Sequence, residues 1–239
     1  MEPQLSPSDR AKRAAALRAL EMVEDGMRLG LGTGSTARWL VALLGHRIAE
    51  EGLKVTAVAT SSATRALAAE AGVPLRGIDD VEGLDLTIDG ADEFDARLTL
   101  IKGGGGALLW EKIVAAASAR MVVIADPSKR VETLGTFPLP VEIVGFGHRH
   151  TAAQVRDLLQ RSDVGGDLTM LRPGSGGPCV TDEGHHILDL HLGRIGDPAR
   201  LNVELNAIPG VVETGLFVGM ADTVVVGLES GEAEVIGRG

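Results

Sequence analysis

Four short apolar runs, "MRLGLG", "KVTAVAT", "LDLTIDG" and "RMVVIAD", recur between segments of helical periodicity, and this alternation constrains the fold more than any other feature of the chain. The intervening helices are "STARWLVALLGHRIAEEG", then "SSATRALAAEAG", capped by Ser61 or Ser62 and stopped by Gly72, then "ALLWEKIVAAASA". A further helix precedes them: Ser6 is its N-cap, Pro7 takes the first helical position, and apolar residues keep helical spacing up to Gly26. Strands alternating with helices join through right-handed crossovers into a parallel sheet covered on both faces, an α/β fold. Ligands of such sheets bind beyond the carboxyl ends of the strands. The loops "GTGST", "TSS", "DGAD" and "DPSK" all fall at those ends.

From about Pro138 the texture changes. "LPVEIVGFG", a helix near "RHTAAQVRDLLQRS", then "GDLTMLRPG", "PCVTDEGHHILDLHL" and a helix near "DPARLNVELNAI" give strands in succession with two helices, the pattern of a small α+β unit. The expected division is a core of residues 1–137 and 215–239, to which the chain returns with "ADTVVVGLESGEAEVIG", and an inserted unit of residues 138–214. "RPGSGGP" reads as a loop between two strands of the insert.

With 239 residues and 44% hydrophobic content the chain can bury a sizeable core. Its net charge of −10 argues against non-specific nucleic-acid binding, which needs a basic face, but leaves room for a small anionic substrate at a locally positive site. No apolar run approaches the roughly 20 residues that cross a bilayer, and "MEPQLSPSDRAKR" lacks the apolar stretch of a signal peptide. The expectation is a cytoplasmic protein with no membrane partner. Cys179 is the one cysteine, which excludes an internal disulfide framework and suits a reducing compartment. Basic residues are mostly arginine; the five lysines are Lys12, Lys54, Lys102, Lys112 and Lys129. In such a chain a lysine is a mild pointer to a place that wants a compact ammonium.

Several segments carry candidate chemistry, each beside a plainer reading. In "GLGTGSTA" the glycines are Gly30, Gly32 and Gly34, whereas a dinucleotide fingerprint needs the third where Ser35 stands. The second strand also ends in Thr60 and not in the acid that would hold a ribose. Two readings remain, a tight turn and a phosphate seat using the hydroxyls of Ser35 and Thr36. "DGADEFD" fails the spacing of a calcium loop; it is either a polar turn or a place where Asp89 and Asp92 present carboxylates to sugar hydroxyls. "KGGGG" leads Lys102 into glycines that allow close approach of the backbone to a ligand.

The helix after those glycines is apolar almost all round, the mark of a buried helix. Glu111 on it either snorkels to solvent or faces a polar cavity, where desolvation raises a carboxyl toward the range of a useful base. Lys112 points about 100° away around the helix. "ADPSKR" is a capped turn or brings Lys129 to a phosphate. Neither "GHRH" nor His185, His186 and His191 has the i, i+4 spacing of a helical metal site, and these histidines read as surface or subunit-contact residues. Cys179 reads as core.

Taken together, "GLGTGSTA", "TIDGADEFD", "LIKGGGGALLWEK" and "VVIADPSK", in that order and spacing, resemble the type A ribose-5-phosphate isomerase family. "TDEGHHILDL" and "IPGVVETGLF" extend the resemblance, which runs from about Lys12 to Gly227. It implies interconversion of D-ribose 5-phosphate and D-ribulose 5-phosphate in the non-oxidative pentose phosphate pathway, with no metal and no organic cofactor. It implies a Rossmann-like core, a small ferredoxin-like domain and a homodimer or dimer of dimers. Carried over position by position, the proton acceptor falls on Glu111. Substrate contacts fall on Thr33, Gly34, Ser35 and Thr36, on Asp89, Gly90, Ala91 and Asp92, on Lys102, Gly103, Gly104 and Gly105, and on Lys129. Lys12 aligns less securely.

On that assignment Lys102 stabilises an oxyanion and Asp89 assists ring opening or proton transfer between oxygens. The chain departs from the family pattern at "EIVGFGHRH", at Thr214 and at Gly106, which puts lid packing and subunit contacts in question more than chemistry. Competing readings are a non-catalytic sugar-phosphate sensor, a related amino-sugar phosphate deaminase, or a coenzyme A transferase working through a glutamyl thioester. The sensor reading predicts loss of the base or the lysine, and both are present.

Overall fold

The computed structural model describes residues 5–238. In chain order its elements are α1 (Pro7–Leu20), β1 (Arg28–Leu31), α2 (Ser35–Glu51), β2 (Thr56–Ala59), α3 (Ser62–Glu70), β3 (Leu86–Gly90), β4 (Glu93–Phe94), β5 (Leu100–Ile101), α4 (Leu108–Ala116) and β6 (Met121–Ala125). They continue with β7 (Leu139–Ile143), α5 (His148–Leu159), β8 (Leu168–Leu171), β9 (Pro173–Gly174), β10 (Gly177–Pro178) and β11 (His186–His191). The last are α6 (Pro198–Asn206), β12 (Val211–Thr214), β13 (Leu216–Phe217), β14 (Thr223–Gly227) and β15 (Ala233–Gly237).

The chain forms two compact units. The first holds the described residues up to Ala91, Trp110–Lys129 and those from Met220 onward. Its six-stranded sheet runs β15-β14-β6-β3-β1-β2. All neighbours are parallel except the β14–β15 hairpin. The four apolar runs seen in the sequence supply β1, β2, β3 and β6, so the α/β core is as the sequence implies.

Alternation along β1 shows how the faces are covered. Leu29 and Leu31 join a core with Ala15, Ala19, Leu40, Leu44 and Ala68 from α1, α2 and α3. A Cβ placed on the intervening Gly30 would lie 2.6 Å from Val114 of α4, on the opposite face. Each large apolar side chain buried in this way stabilises the fold by about 1.5–3 kcal/mol.

Helix α1 begins as the sequence implies, with Ser6 accepting from the Asp9 N–H at 3.1 Å and Pro7 in the first turn. It stops at Leu20, well before Gly26. The N–H groups of Met22 and Val23 turn back three residues, to Ala19 and Leu20, and these tight turns close the helix early.

The second unit holds Asp92–Leu109 and Arg130–Gly219. It therefore takes in residues 92–109, 130–137 and 215–219, which the sequence assigns to the core. Its main sheet is antiparallel with order β12-β7-β11-β8. With α5 between β7 and β8 and α6 between β11 and β12, this is the βαββαβ arrangement of a ferredoxin-like domain. Leu139, Val141 and Ile143 point to one face with Leu188 and Leu190, and pack on Val155, Leu158 and Leu159 of α5 and Leu201 and Leu205 of α6.

A separate three-stranded sheet, β13-β5-β4, carries the buried Phe94 and Phe217. Inside "RPGSGGP" the short strands β9 and β10 pair, so this stretch is a small hairpin and not a plain loop. Among the described residues no helix is long and apolar enough to cross a membrane.

Candidate active site

In the first unit the chain leaves β1 through Gly32, Thr33 and Gly34 and enters α2 at Ser35. Asp89, at the end of the neighbouring strand β3, is fully buried. Its Oδ1 accepts the N–H groups of Thr33 at 3.0 Å and Gly90 at 2.7 Å. Only a residue without a side chain can let that carboxylate in, because a Cβ on Gly32 would fall 1.9 Å from Asp89 Oδ1.

Gly34, at φ +112°, caps α2 without a side-chain acceptor. The first turn of this 17-residue helix therefore has no side-chain cap for its N–H groups, beside Ser35, which is exposed, and Thr36, which is half-buried. A helix N-terminus left without a side-chain cap can receive an anion.

The hydroxyl of Thr33 is turned the other way. It lies 2.9 Å from Thr60 Oγ1, 2.8 Å from Ser61 Oγ and 3.0 Å from Thr64 Oγ1. Thr64 in turn donates to the Gly32 carbonyl at 3.0 Å, and Thr60 to that of Leu31. This buried hydroxyl cluster ties the glycine loop to the start of α3, where Ser61 caps the helix by accepting the Thr64 N–H. "TSS" signalled a loop at a strand end and a helix cap, but not this cluster.

Glu111 lies in the first turn of α4 and is 4% exposed, so it does not snorkel to solvent. The helix itself is not buried all round as its sequence suggests, since Ile113 is 46% exposed. Lys129 ends the short turn after β6 and is half-buried. Asp126 caps that turn by accepting the Ser128 N–H at 2.9 Å.

In the second unit the run of acids resolves into a set of backbone acceptors. Asp92 Oδ2 accepts the Gly104 N–H at 2.8 Å. Buried Glu93 accepts the N–H groups of Gly135 at 2.7 Å and Phe137 at 2.5 Å. Asp95 Oδ1 accepts those of Arg97 at 2.9 Å and Thr99 at 2.8 Å, closing the β4–β5 turn in which Leu98 takes a φ of +58°. Polar turn and ligand-facing acids were competing readings of this run; Asp95 is the turn residue, and Asp92 is bonded to the glycine loop.

Lys102 follows β5 and is 2% exposed. Its backbone N–H bonds to Gly215 O at 2.9 Å, and its ammonium lies 5.4 Å from the ring centre of Phe217. Gly103 has φ +102° and Gly106 +84°, with the Gly106 N–H returned to Gly103 O at 3.0 Å. Gly104 and Gly105 are exposed.

The other candidates fall outside these loops. His185 Nδ1 is 2.9 Å from Glu142 Oε1, and His186 Nδ1 is 3.1 Å from the Cys179 carbonyl. Cys179 is half-buried and so not the core residue expected.

The model of ribose 5-phosphate isomerase A (phosphoriboisomerase A) matches residues 56–231. A ribose-5-phosphate isomerase A of Ruegeria sp. (strain TM1040) is 60% identical over 235 residues, 98% of this chain and 90% of that protein. The chain belongs to the ribose 5-phosphate isomerase A family.

Solved structures agree with this family membership. Ribose 5-phosphate isomerase A from Methanocaldococcus jannaschii superposes with a TM-score of 0.89 at 39% identity, covering 98% of this chain and all of the other. A D-ribose-5-phosphate isomerase in complex with phospho-erythronic acid gives the same TM-score at 35% identity and the same coverage. Both the parallel-sheet unit and the ferredoxin-like unit are thus shared with isomerases of this family.

Proposed function

We propose that the protein is a ribose-5-phosphate isomerase that interconverts D-ribose 5-phosphate and D-ribulose 5-phosphate by proton transfer between C1 and C2 through an ene-diolate. The observation that carries this reading is a buried glutamate, Glu111, in the first turn of a helix that directly follows a lysine–glycine loop, within a chain 60% identical to a named isomerase. Glu111 takes the carbon-bound proton and returns it to the neighbouring carbon, a step that needs a carboxylate held out of bulk water. Lys102 stabilises the oxygen on which charge develops.

Ser35 and Thr36, with the N–H groups of the α2 first turn and the ammonium of Lys129, anchor the phosphate. Binding energy from that remote group fixes the reacting carbons against the base. Asp92 and the backbone of Gly103, Gly104 and Gly105 address the sugar hydroxyls. Asp89 assists ring opening, and through its bonds to the Thr33 and Gly90 N–H groups it also holds the phosphate loop in shape. Thr33, Gly34, Gly90 and Ala91 line the same segments.

The ligand of the second solved isomerase, phospho-erythronic acid, is a four-carbon phosphorylated acid whose carboxylate resembles an ene-diolate, which makes it a suitable probe here. A cytoplasmic location is proposed with the activity, since phosphorylated sugars do not cross membranes unaided. A homodimer or dimer of dimers is proposed from the family. The test is conversion of ribose 5-phosphate to ribulose 5-phosphate by the purified chain in the presence of a chelator. Ketose formation at enzymatic rate supports the reading, and none at any protein concentration contradicts it.

A further inference from the structure

We infer that Arg172 is a positioning residue for the glycine loop of residues 103–105, that Asp189 fixes Arg172 in turn, and that this pair sets the direction of the Gly104 N–H, which holds Asp92, and of the Gly105 N–H, which is offered to the substrate. The inference rests on the isomerase reading and on the part given there to the loop.

Arg172 follows β8, and its backbone is held on both sides: its N–H bonds to Ile187 O, and its carbonyl accepts the Cys179 N–H, each at 2.8 Å. The guanidinium makes a two-pronged ion pair with Asp189 of β11, Nε to Oδ2 at 2.9 Å and Nη2 to Oδ1 at 2.6 Å. Both side chains are largely buried, 15% and 17% exposed, so the pair is fixed and little screened. The remaining nitrogen, Nη1, donates to the carbonyls of Gly103 at 2.9 Å and Gly104 at 3.2 Å.

Peptide planarity turns these two bonds into a statement about donors. In a trans peptide the carbonyl of one residue and the N–H of the next point in opposite directions within one plane. Holding Gly103 O toward Arg172 therefore aims the Gly104 N–H away from it, and that N–H meets Asp92 Oδ2 at 2.8 Å. Holding Gly104 O likewise aims the N–H of exposed Gly105 away from the guanidinium.

Without such a clamp, consecutive glycines sample a wide range of conformations, and the donors would have to be ordered anew at each turnover. Lysine cannot replace the fork, because one ammonium cannot span a carboxylate and two carbonyls in this planar arrangement.

The test compares wild type with Arg172→Lys, Arg172→Met and Asp189→Asn by three readouts. The backbone amide resonances of Gly104 and Gly105 should shift in all three variants while those of the parallel sheet do not. Turnover of ribose 5-phosphate should fall by about 10²-fold in both Arg172 variants and by a smaller factor in Asp189→Asn. Affinity for inorganic phosphate should stay within about twofold of wild type, as expected when the fold and the helix-terminus seat are intact.

Unmoved glycine amides in Arg172→Lys, or turnover within about twofold of wild type in Arg172→Lys and Asp189→Asn, would overturn the inference. If Arg172→Met does not fold, the two conservative variants decide. Failure of the wild-type chain to isomerise ribose 5-phosphate would instead strike the isomerase reading, and the amide shifts would still decide whether Arg172 orders the loop.

Discussion

Two glycine loops, Gly32–Gly34 in the first unit and Gly103–Gly106 in the second, are held by opposite means. The first is pinned from inside by one buried carboxylate and a cluster of neutral hydroxyls. Asp89 can reach it because Gly32 has no Cβ. The second is clamped by charged groups on both of its backbone polarities, Asp92 on an N–H and Arg172 on two carbonyls.

The difference fits the proposed division of labour. A phosphate seat needs a shape-fixed turn that leaves the N–H groups of a helix end bare, and neutral hydroxyls supply that without competing for the anion. A loop next to developing negative charge needs its donors aimed in advance, and charged partners fix peptide planes more firmly than neutral ones.

Kinetics separates the two loops most clearly. Lys102→Met should lower kcat by about 10²–10³-fold with little change in KM, the pattern for loss of a contact made in the transition state. Ser35→Ala should instead raise KM severalfold and leave kcat nearly intact. If the two variants gave the same pattern, the assignment of chemistry to one loop and anchoring to the other would fail.

The two loops should also differ in their tolerance of a methyl group. Gly32→Ala would set a Cβ 1.9 Å from a fully buried carboxylate and 2.5 Å from the Asp89 Cα. It should destabilise the protein by about 2–3 kcal/mol, seen as a drop of several degrees in Tm. In Gly104→Ala the nearest atoms to the new Cβ belong to the Asp92 carboxylate, the first at 2.6 Å, and on an exposed loop that side chain can move. Its Tm change should be clearly smaller.

Glu93→Gln is expected to cost about 1.5–3 kcal/mol in chemical denaturation, because an amide NH2 would face one of the two backbone N–H groups now bonded to the carboxylate. An unchanged midpoint would remove Glu93 from the set of structural acceptors.

The smallest effect concerns Asp85, which joins the start of β1 to the entry of β3. The Arg28 backbone N–H at 2.7 Å, helped by the Arg28 side chain, holds its carboxyl below the ordinary 3.8. A folded-state value below the unfolded one means stabilisation present above about pH 4 and lost as the pH falls through the folded value. The side chain is 40% exposed, so the contribution is well under about 1 kcal/mol. Asp85→Asn should lower stability slightly at neutral pH, and its difference from wild type should vanish in acid.

The parallel-sheet unit was legible because buried strands of four or five residues flanked by caps and glycines announce themselves by period and punctuation. Strands β4, β5 and β13 were not, since two residues have no period, and their sheet exists only through pairings distant in sequence. Glu111, Lys102 and the glycines stood out by chemical type in an apolar setting.

The acids misled in part. "DGADEFD" offers a polar turn or ligand-facing acids for the run as a whole, yet its carboxylates have different tasks: Glu93 and Asp95 serve backbone N–H groups that spacing alone does not reveal. Arg172 and the Thr33–Thr60–Ser61–Thr64 cluster were invisible for a related reason. An arginine before a proline and a few hydroxyls are ordinary surface composition until the fold brings distant residues to them.

If Glu111 carries the proton, turnover and binding must separate in Glu111→Gln. Ribose 5-phosphate conversion should fall by about 10³-fold or more, while phospho-erythronic acid still binds within about tenfold of its wild-type Kd in calorimetry. Near-normal turnover in Glu111→Gln, with binding intact, would contradict that role for Glu111.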